Sequence, residues 1–222
     1  MSVNIPYADP DQALAPPVLL ALSYAPREAR EGLAALLALD GKLGGIVRAS
    51  REPMVGQMRL TWWHDALTRL DSAGPPAEPV LQAIAEHVLP AGVTGGSLAS
   101  IIDGWEILLE GDTLSEAELA TYANARGGRL FAAMALLCRA TGADPVAGAG
   151  EGWALADLAR HVSDPVIAEH ASRLAEERLD QALAVRWSRR GRVLGALALL
   201  ARRPAGGPAL LGRLIWHRLS GY

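Results

Sequence analysis

Apolar residues recur at helical spacing along almost the whole chain. Between Pro17 and Val47, the positions Leu19, Leu20, Leu22, then Leu33, Leu36, Leu37, Leu39, Leu43 and Ile46 predict two helices, broken near Pro26. Gly41, Gly44 and Gly45 lie inside the second, each costing about 1 kcal/mol against Ala, and such glycines allow close helix contact. From Arg51 to Leu70 the string REPMVGQMRLTWWHDALTRL predicts a third helix, with Ser50 as candidate N-cap and Pro53 in its first turn. Turning each residue by about 100° sets Gln57, Thr61, His64, Thr68 and Asp71 in a polar stripe. Val55, Leu60, Trp62, Trp63, Ala66, Leu67 and Leu70 fill the opposite arc, and Arg59 falls in its middle. A guanidinium buried there cannot lose its proton, so this helix is expected to meet a carboxylate from elsewhere, with Asp103 and Asp157 as candidates.

Helix follows helix in the remainder. Glu78 to Val88 is short and ends at Pro90; Ser97 is the expected cap of a helix with Leu98, Ile101, Ile102, Trp105, Leu108 and Leu109 on one face. Asp103, Glu106 and Glu110 share its other face at i, i+3, i+7, which is either a solvated surface or the lining of a metal-binding cavity. Thr113 or Ser115 starts the next helix, Ser115 and Glu118 having capping-box spacing, and it runs through Tyr122 to Leu137 with Gly127 and Gly128 inside. Asp144 to Gly152 reads as a loop, Trp153 to Val162 as a helix, Val166 to about Ala184 as another, and Arg192 to Arg202 and Pro208 to Leu219 as the last two. Neither an alternating strand pattern nor a fixed-period repeat occurs, so the chain reads as one all-α domain over 1–222, with 1–11 an extended lead-in.

Composition narrows the function. Of the 21 basic residues only Lys42 is lysine, a bias that drains meaning from the arginine count, and a net charge of −3 with pI near 6.0 argues against a nucleic-acid surface. The cluster from Arg186 to Arg192 is a local exception, either solvated or touching an acidic lipid or partner. Cys138, the one cysteine, excludes an intrachain disulfide and reads as a core thiol in LFAAMALLC. The first residues lack a signal-peptide pattern and no apolar run approaches the ~20 residues of a bilayer span. A reducing, cytoplasmic setting is expected, with at most peripheral contact at the inner face of a membrane.

No P-loop, G-x-G-x-x-G, G-x-S-x-G or H-E-x-x-H occurs. Chemistry must therefore come from residues gathered by the fold. Trp62, Trp63, Trp105 and Tyr122 are candidates for core or for the wall of an apolar cavity. Asp157 and His161 stand one turn apart and are placed to share a hydrogen bond.

Arg59 with TWWHDAL, then IIDGWEILLEG, then ELATYANARGGRL, occur in an order and spacing that resemble the squalene/phytoene synthase family. DPDQALAPPVLLALSYAPREAREGLAALLALDGKL is similar to that family's N-terminal helices, and REPMVGQMRLTWWHDAL to its branch containing a mitochondrial complex I assembly factor. The resemblance covers nearly the whole chain. It implies an isoprenoid-synthase-like bundle around a central cavity, whose active members join prenyl diphosphates head to head and hold Mg²⁺ between two aspartate-rich helical motifs. Here the window of the first motif, Leu39 to Val47, carries only Asp40, so a D-D-x-x-D array cannot form. The place of the second offers Asp157, His161 and Asp164; His is a poor Mg²⁺ ligand, and Pro165 disfavours helical geometry at Asp164. The resulting expectation is a catalytically degenerate relative acting as an assembly or partner-binding factor, for respiratory complex I by resemblance. Two alternatives stand beside it: a Mg²⁺-dependent prenyl transferase using Asp103, Glu106, Asp157 and Asp164, and a non-catalytic isoprenoid- or quinone-binding protein.

Overall fold

A computed structural model describes residues 14–50, 52–110, 113–202 and 207–222, so the lead-in expected over 1–11 lies outside the described residues. These residues form helices and connecting turns, with no strand among them. Helix α1 (Pro16–Leu22) leads through a 3₁₀ turn (Arg27–Ala29) into α2 (Arg30–Ala49), the break falling at Pro26 as its missing N–H requires. Leu33, Leu36, Leu39 and Leu43 of α2 are fully buried, each contributing roughly 1.5–3 kcal/mol of apolar burial. This helix is the spine of one half, touching α3 (Pro53–Arg69), α4 (Pro79–His87), α6 (Ile102–Glu110) and α8 (Arg129–Cys138). In the other half, α9 (Val146–His161) packs along α10 (Pro165–Ala184) and α11 (Arg192–Arg202), and α12 (Pro208–Ser220) closes the chain against α11.

Several boundaries differ from expectation for identifiable reasons. Ser50 does not cap α3: its hydroxyl donates back to the Ile46 carbonyl, 2.7 Å, finishing α2, and Glu52 becomes the N-cap. The helix expected from Ser97 is two pieces, a short α5 (Gly95–Ala99) and α6. Thr94 rather than Ser97 caps α5, and Asp71 reaches across from the end of α3 to accept from the N–H groups of Gly95 and Gly96 at 2.6 and 2.9 Å. Ser115 and Glu118 do form the capping box that opens α7 (Glu116–Tyr122). The 144–152 stretch is helical from Val146, not a loop, because its glycines make a helix–helix contact that a loop reading overlooks. A Cβ on Gly150 would lie 2.2 Å from the Gly127 carbonyl oxygen, and one on Gly127 2.0 Å from that of Gly150. Backbone touches backbone there, and the contact sets the register of α9 against the segment between α7 and α8.

That segment, Ala123–Gly128, is a π-helical turn. The widened turn re-aims the side chains on either side of it, and such insertions are frequent at functional positions. Cys138 is fully buried, and burial pushes its thiol up to about 12.

Candidate functional site

The π-helical turn carries Arg126, whose side chain is 3% exposed. Its Nε and Nη2 donate to the two oxygens of Asp40 on α2, both at 2.8 Å, a two-pronged guanidinium–carboxylate pair. Nη1 donates to the Tyr122 hydroxyl one turn back and lies 2.8 Å from Asp157 Oδ2 on α9. Three helical segments distant in sequence thus meet on one guanidinium. The cation also stands over the rings of Trp105, 4.0 Å from the centroid, and Trp153, 4.9 Å, so aromatic faces supply part of the solvation it loses. Gly104 lets this happen: a Cβ there would sit 2.8 Å from the Arg126 amide nitrogen.

The electrostatics follow from this geometry. Burial works against the charge on Arg126, but Asp40, Tyr122 and Asp157 outweigh it and hold the guanidinium charged. Burial would likewise raise Asp157; the facing Arg126 and a hydrogen bond with His161 override it and keep its carboxyl well below the usual range. His161 Nδ1 lies 2.8 Å from the Asp157 carbonyl oxygen and 3.2 Å from Oδ1, and chiefly that side-chain bond raises the imidazole's affinity for a proton. Tyr122, fully enclosed, is held in its neutral form by burial.

The other sequence candidates fall elsewhere. Arg59 is not the buried arginine: it is exposed at the edge of the arc that α3 buries, and no described carboxylate pairs with it. That arc is Gly56, Leu60, Trp63, Ala66 and Leu67; of the adjacent Trp62 and Trp63 only the second turns inward, and Trp62 is 50% exposed. Trp105 and Tyr122 are core and touch edge to face at 6.4 Å between centroids. Asp103 is exposed and pairs with Arg129 at 2.6 Å, not with Arg59, while Arg129 also donates to the Ser100 carbonyl. Glu106 accepts from Gln57 at 2.8 Å. Asp164 caps α10, receiving the N–H groups of Val166 and Ile167 at 2.8 and 3.2 Å. Of the residues singled out, then, Asp157, His161, Trp105 and Tyr122 come together. Arg126, Asp40 as its partner, and Trp153 were not singled out as site residues.

The all-helical architecture, with one aspartate from α2 and one from α9 drawn to a cation in its middle, agrees with the comparisons. The signature of squalene/phytoene synthase matches residues 16–186, and the chain belongs to that family. A solved dehydrosqualene synthase in complex with ligand has the same all-α isoprenoid synthase fold, with a TM-score of 0.67 over 94% of this chain and 84% of that one, at 14% sequence identity. No curated protein sequence matches the chain.

The family resemblance implies Mg²⁺, and the donor set here does not suit it. Mg²⁺ needs near-octahedral oxygen ligands at about 2.0–2.1 Å. Both oxygens of Asp40 and one of Asp157 are bound to Arg126, and the remaining Asp157 oxygen faces His161. Among the described residues no group of three or more His, Cys, Asp or Glu is placed to hold a metal. The guanidinium stands between the two aspartates.

Proposed function

We propose that this chain is a catalytically degenerate member of its family that serves as an assembly or partner-binding factor, with respiratory complex I the partner the sequence resemblance implies. The observation behind the first half is Arg126 seated between Asp40 and Asp157. Head-to-head prenyl transfer begins with loss of diphosphate, and a divalent cation must gather the charge that develops on the leaving oxygens. In this chain the two central carboxylates are already engaged by one cation of fixed charge. Freeing them would strand a buried guanidinium at a cost of roughly 3–5 kcal/mol.

Incubating the purified protein with Mg²⁺ and farnesyl or geranylgeranyl diphosphate is expected to release no pyrophosphate above a protein-free blank. Sustained release would overturn the degenerate reading. Deleting the gene is expected to lower the amount of assembled NADH:quinone oxidoreductase, and unchanged levels would reject the assembly role.

One observation favours a second reading, a non-catalytic site for an isoprenoid or similar lipid. A groove of about 450 Å³ between α2 and α3 is lined by Ile46, Trp62 and Trp63, with Arg59 at hand for an anionic head and Lys42 3.8 Å from Glu78, which also lines it. Native mass spectrometry showing no co-purified lipid would reject it.

A further inference from the structure

The last acidic residue of the chain is Asp180. Residues 181–222 carry eight arginines and no Asp or Glu, a formal +8, against 13 basic and 24 acidic residues upstream, a formal −11. The charge of this protein is therefore strongly polarised although its net value is small.

The basic segment ends in α12, a helix apolar on two sides. Leu210, Leu214 and His217 face inward and are buried, and His217 Nε2 lies 3.0 Å from the Arg192 carbonyl oxygen, which ties the helix to the body. On the outer side Leu211, Ile215 and Leu219 follow at i, i+4 and i+8 with exposures of 48, 49 and 71%, and Trp216 is 62% exposed. At 100° per residue these four span an arc of about 140°, wider than the roughly 100° stripe with which a helix meets a core. Arg218 lies at one edge of the arc and Arg213 at the other. Tyr222, 56% exposed, follows the helix. Arg186 and Arg192 are held beside its C-terminal end by bonds to the Ser220 and Arg218 carbonyl oxygens. No described carboxylate forms an ion pair with Arg186, Arg189, Arg192, Arg213 or Arg218; mutual repulsion among the first three adds to desolvation in lowering the proton affinity of Arg192.

We propose that α12 lies in the headgroup region of an anionic lipid bilayer and docks the protein peripherally. Charge complementarity selects the occupant: a broad outward apolar arc with tryptophan, edged by unneutralised arginines and lacking carboxylates, suits a negatively charged interface. No helix among the described residues is long and apolar enough to cross a membrane, and α12, at 13 residues, is itself too short to span one. This inference is independent of whether the chain turns over a substrate.

The test is flotation of the full chain with vesicles. Binding is expected to vesicles containing about 30 mol% phosphatidylglycerol and not to pure phosphatidylcholine, and to fall as salt rises from about 0.1 M to about 1 M. Replacing Trp216→Ser with Leu219→Ser is expected to weaken binding about tenfold or more. Replacing Arg213→Gln with Arg218→Gln should weaken it about fivefold per arginine and erase the preference for anionic lipid. Both variants should melt as the parent does, since the altered side chains are exposed. Equal binding to neutral vesicles, or no binding to anionic ones, would overturn the proposal. So would a dimer in sedimentation equilibrium that W216S/L219S abolishes, which would assign the face to a second copy.

Discussion

The centre of the molecule and its C-terminal end use arginine in opposite ways. At the centre, Arg126 is enclosed and each of its three nitrogens meets a carboxylate within hydrogen-bonding distance, at 2.8 Å. At the C-terminal end, Arg213 and Arg218 border exposed Leu, Ile and Trp side chains with no acid within their segment. Charge in the first region is paired internally, with both aspartates committed to one guanidinium. Charge in the second is left over after folding, and so remains available to something outside. Arginine number alone distinguishes neither; what matters is where the counter-charge sits.

The largest test of this contrast is Arg126→Met. Asp40 would lose its cation and Asp157 would keep only His161 and the more distant Arg160, and a loss of roughly 3–5 kcal/mol is expected, lowering Tm by about 6–20 °C for a chain of this size. The triple variant Asp40→Asn, Arg126→Met, Asp157→Asn should lose much less than the single one, because no charge is stranded. A single-variant cost below about 1 kcal/mol in denaturant titration would break the claim that the centre is held by its own ion pairs.

Next in size is Gly150→Ala, whose Cβ would press on the Gly127 backbone. Overpacking of about 1–3 kcal/mol is expected, and an unchanged denaturation midpoint would show that the register of α9 does not depend on this contact.

A subtler readout is pH. Asp157 has its pKa depressed in the fold, so its contribution is present above the unfolded value of about 3.9 and is lost as pH falls through the depressed one. His161 has its pKa raised, so its contribution is complete below about 6.5 and is lost as pH rises through the folded value. Unfolding midpoints of His161→Gln, compared with the parent, should therefore show a flatter pH dependence above about 6.5 and an acid limb displaced to higher pH, because part of what holds Asp157 down is lost.

The smallest expected effects belong to the exposed arginines. Arg59→Gln and Arg213→Gln should each change stability by no more than about 0.5 kcal/mol. A loss above about 1 kcal/mol from Arg213→Gln would mean that the C-terminal cations hold the fold together, and the contrast with the centre would collapse.

The central site was more legible in the sequence than Arg59 suggests. Asp40 interrupts the apolar series Leu33, Leu36, Leu43, Val47, and Arg126 interrupts Leu119, Tyr122, Leu130, so each is a charge in the buried stripe of its helix. The rule that sought a partner for Arg59 applies to both, and they are of opposite sign. Arg59 misled because Trp62 and Trp63, adjacent and each large, shift the apparent centre of the apolar arc; only Trp63 packs inward, and Arg59 is left at the rim. Glycine hid the start of α9 in the same way: Gly148, Gly150 and Gly152 read as a loop, though Gly150 serves a close contact.

What the sequence by itself determined is the all-α class, the order of the helices, the absence of a D-D-x-x-D array around Asp40, and the need of each buried charge for a partner, since these follow from residue identity, local periodicity and the cost of desolvation. Which charges meet was decided only by tertiary structure. Asp40 and Arg126 are 86 residues apart, and their pairing depends on the π-helical turn and on two glycine backbones in contact. Hydrophobic periodicity says which face of a helix is buried. It does not fix the axial register at which two such faces meet, and an ion pair requires that register to within a fraction of a turn.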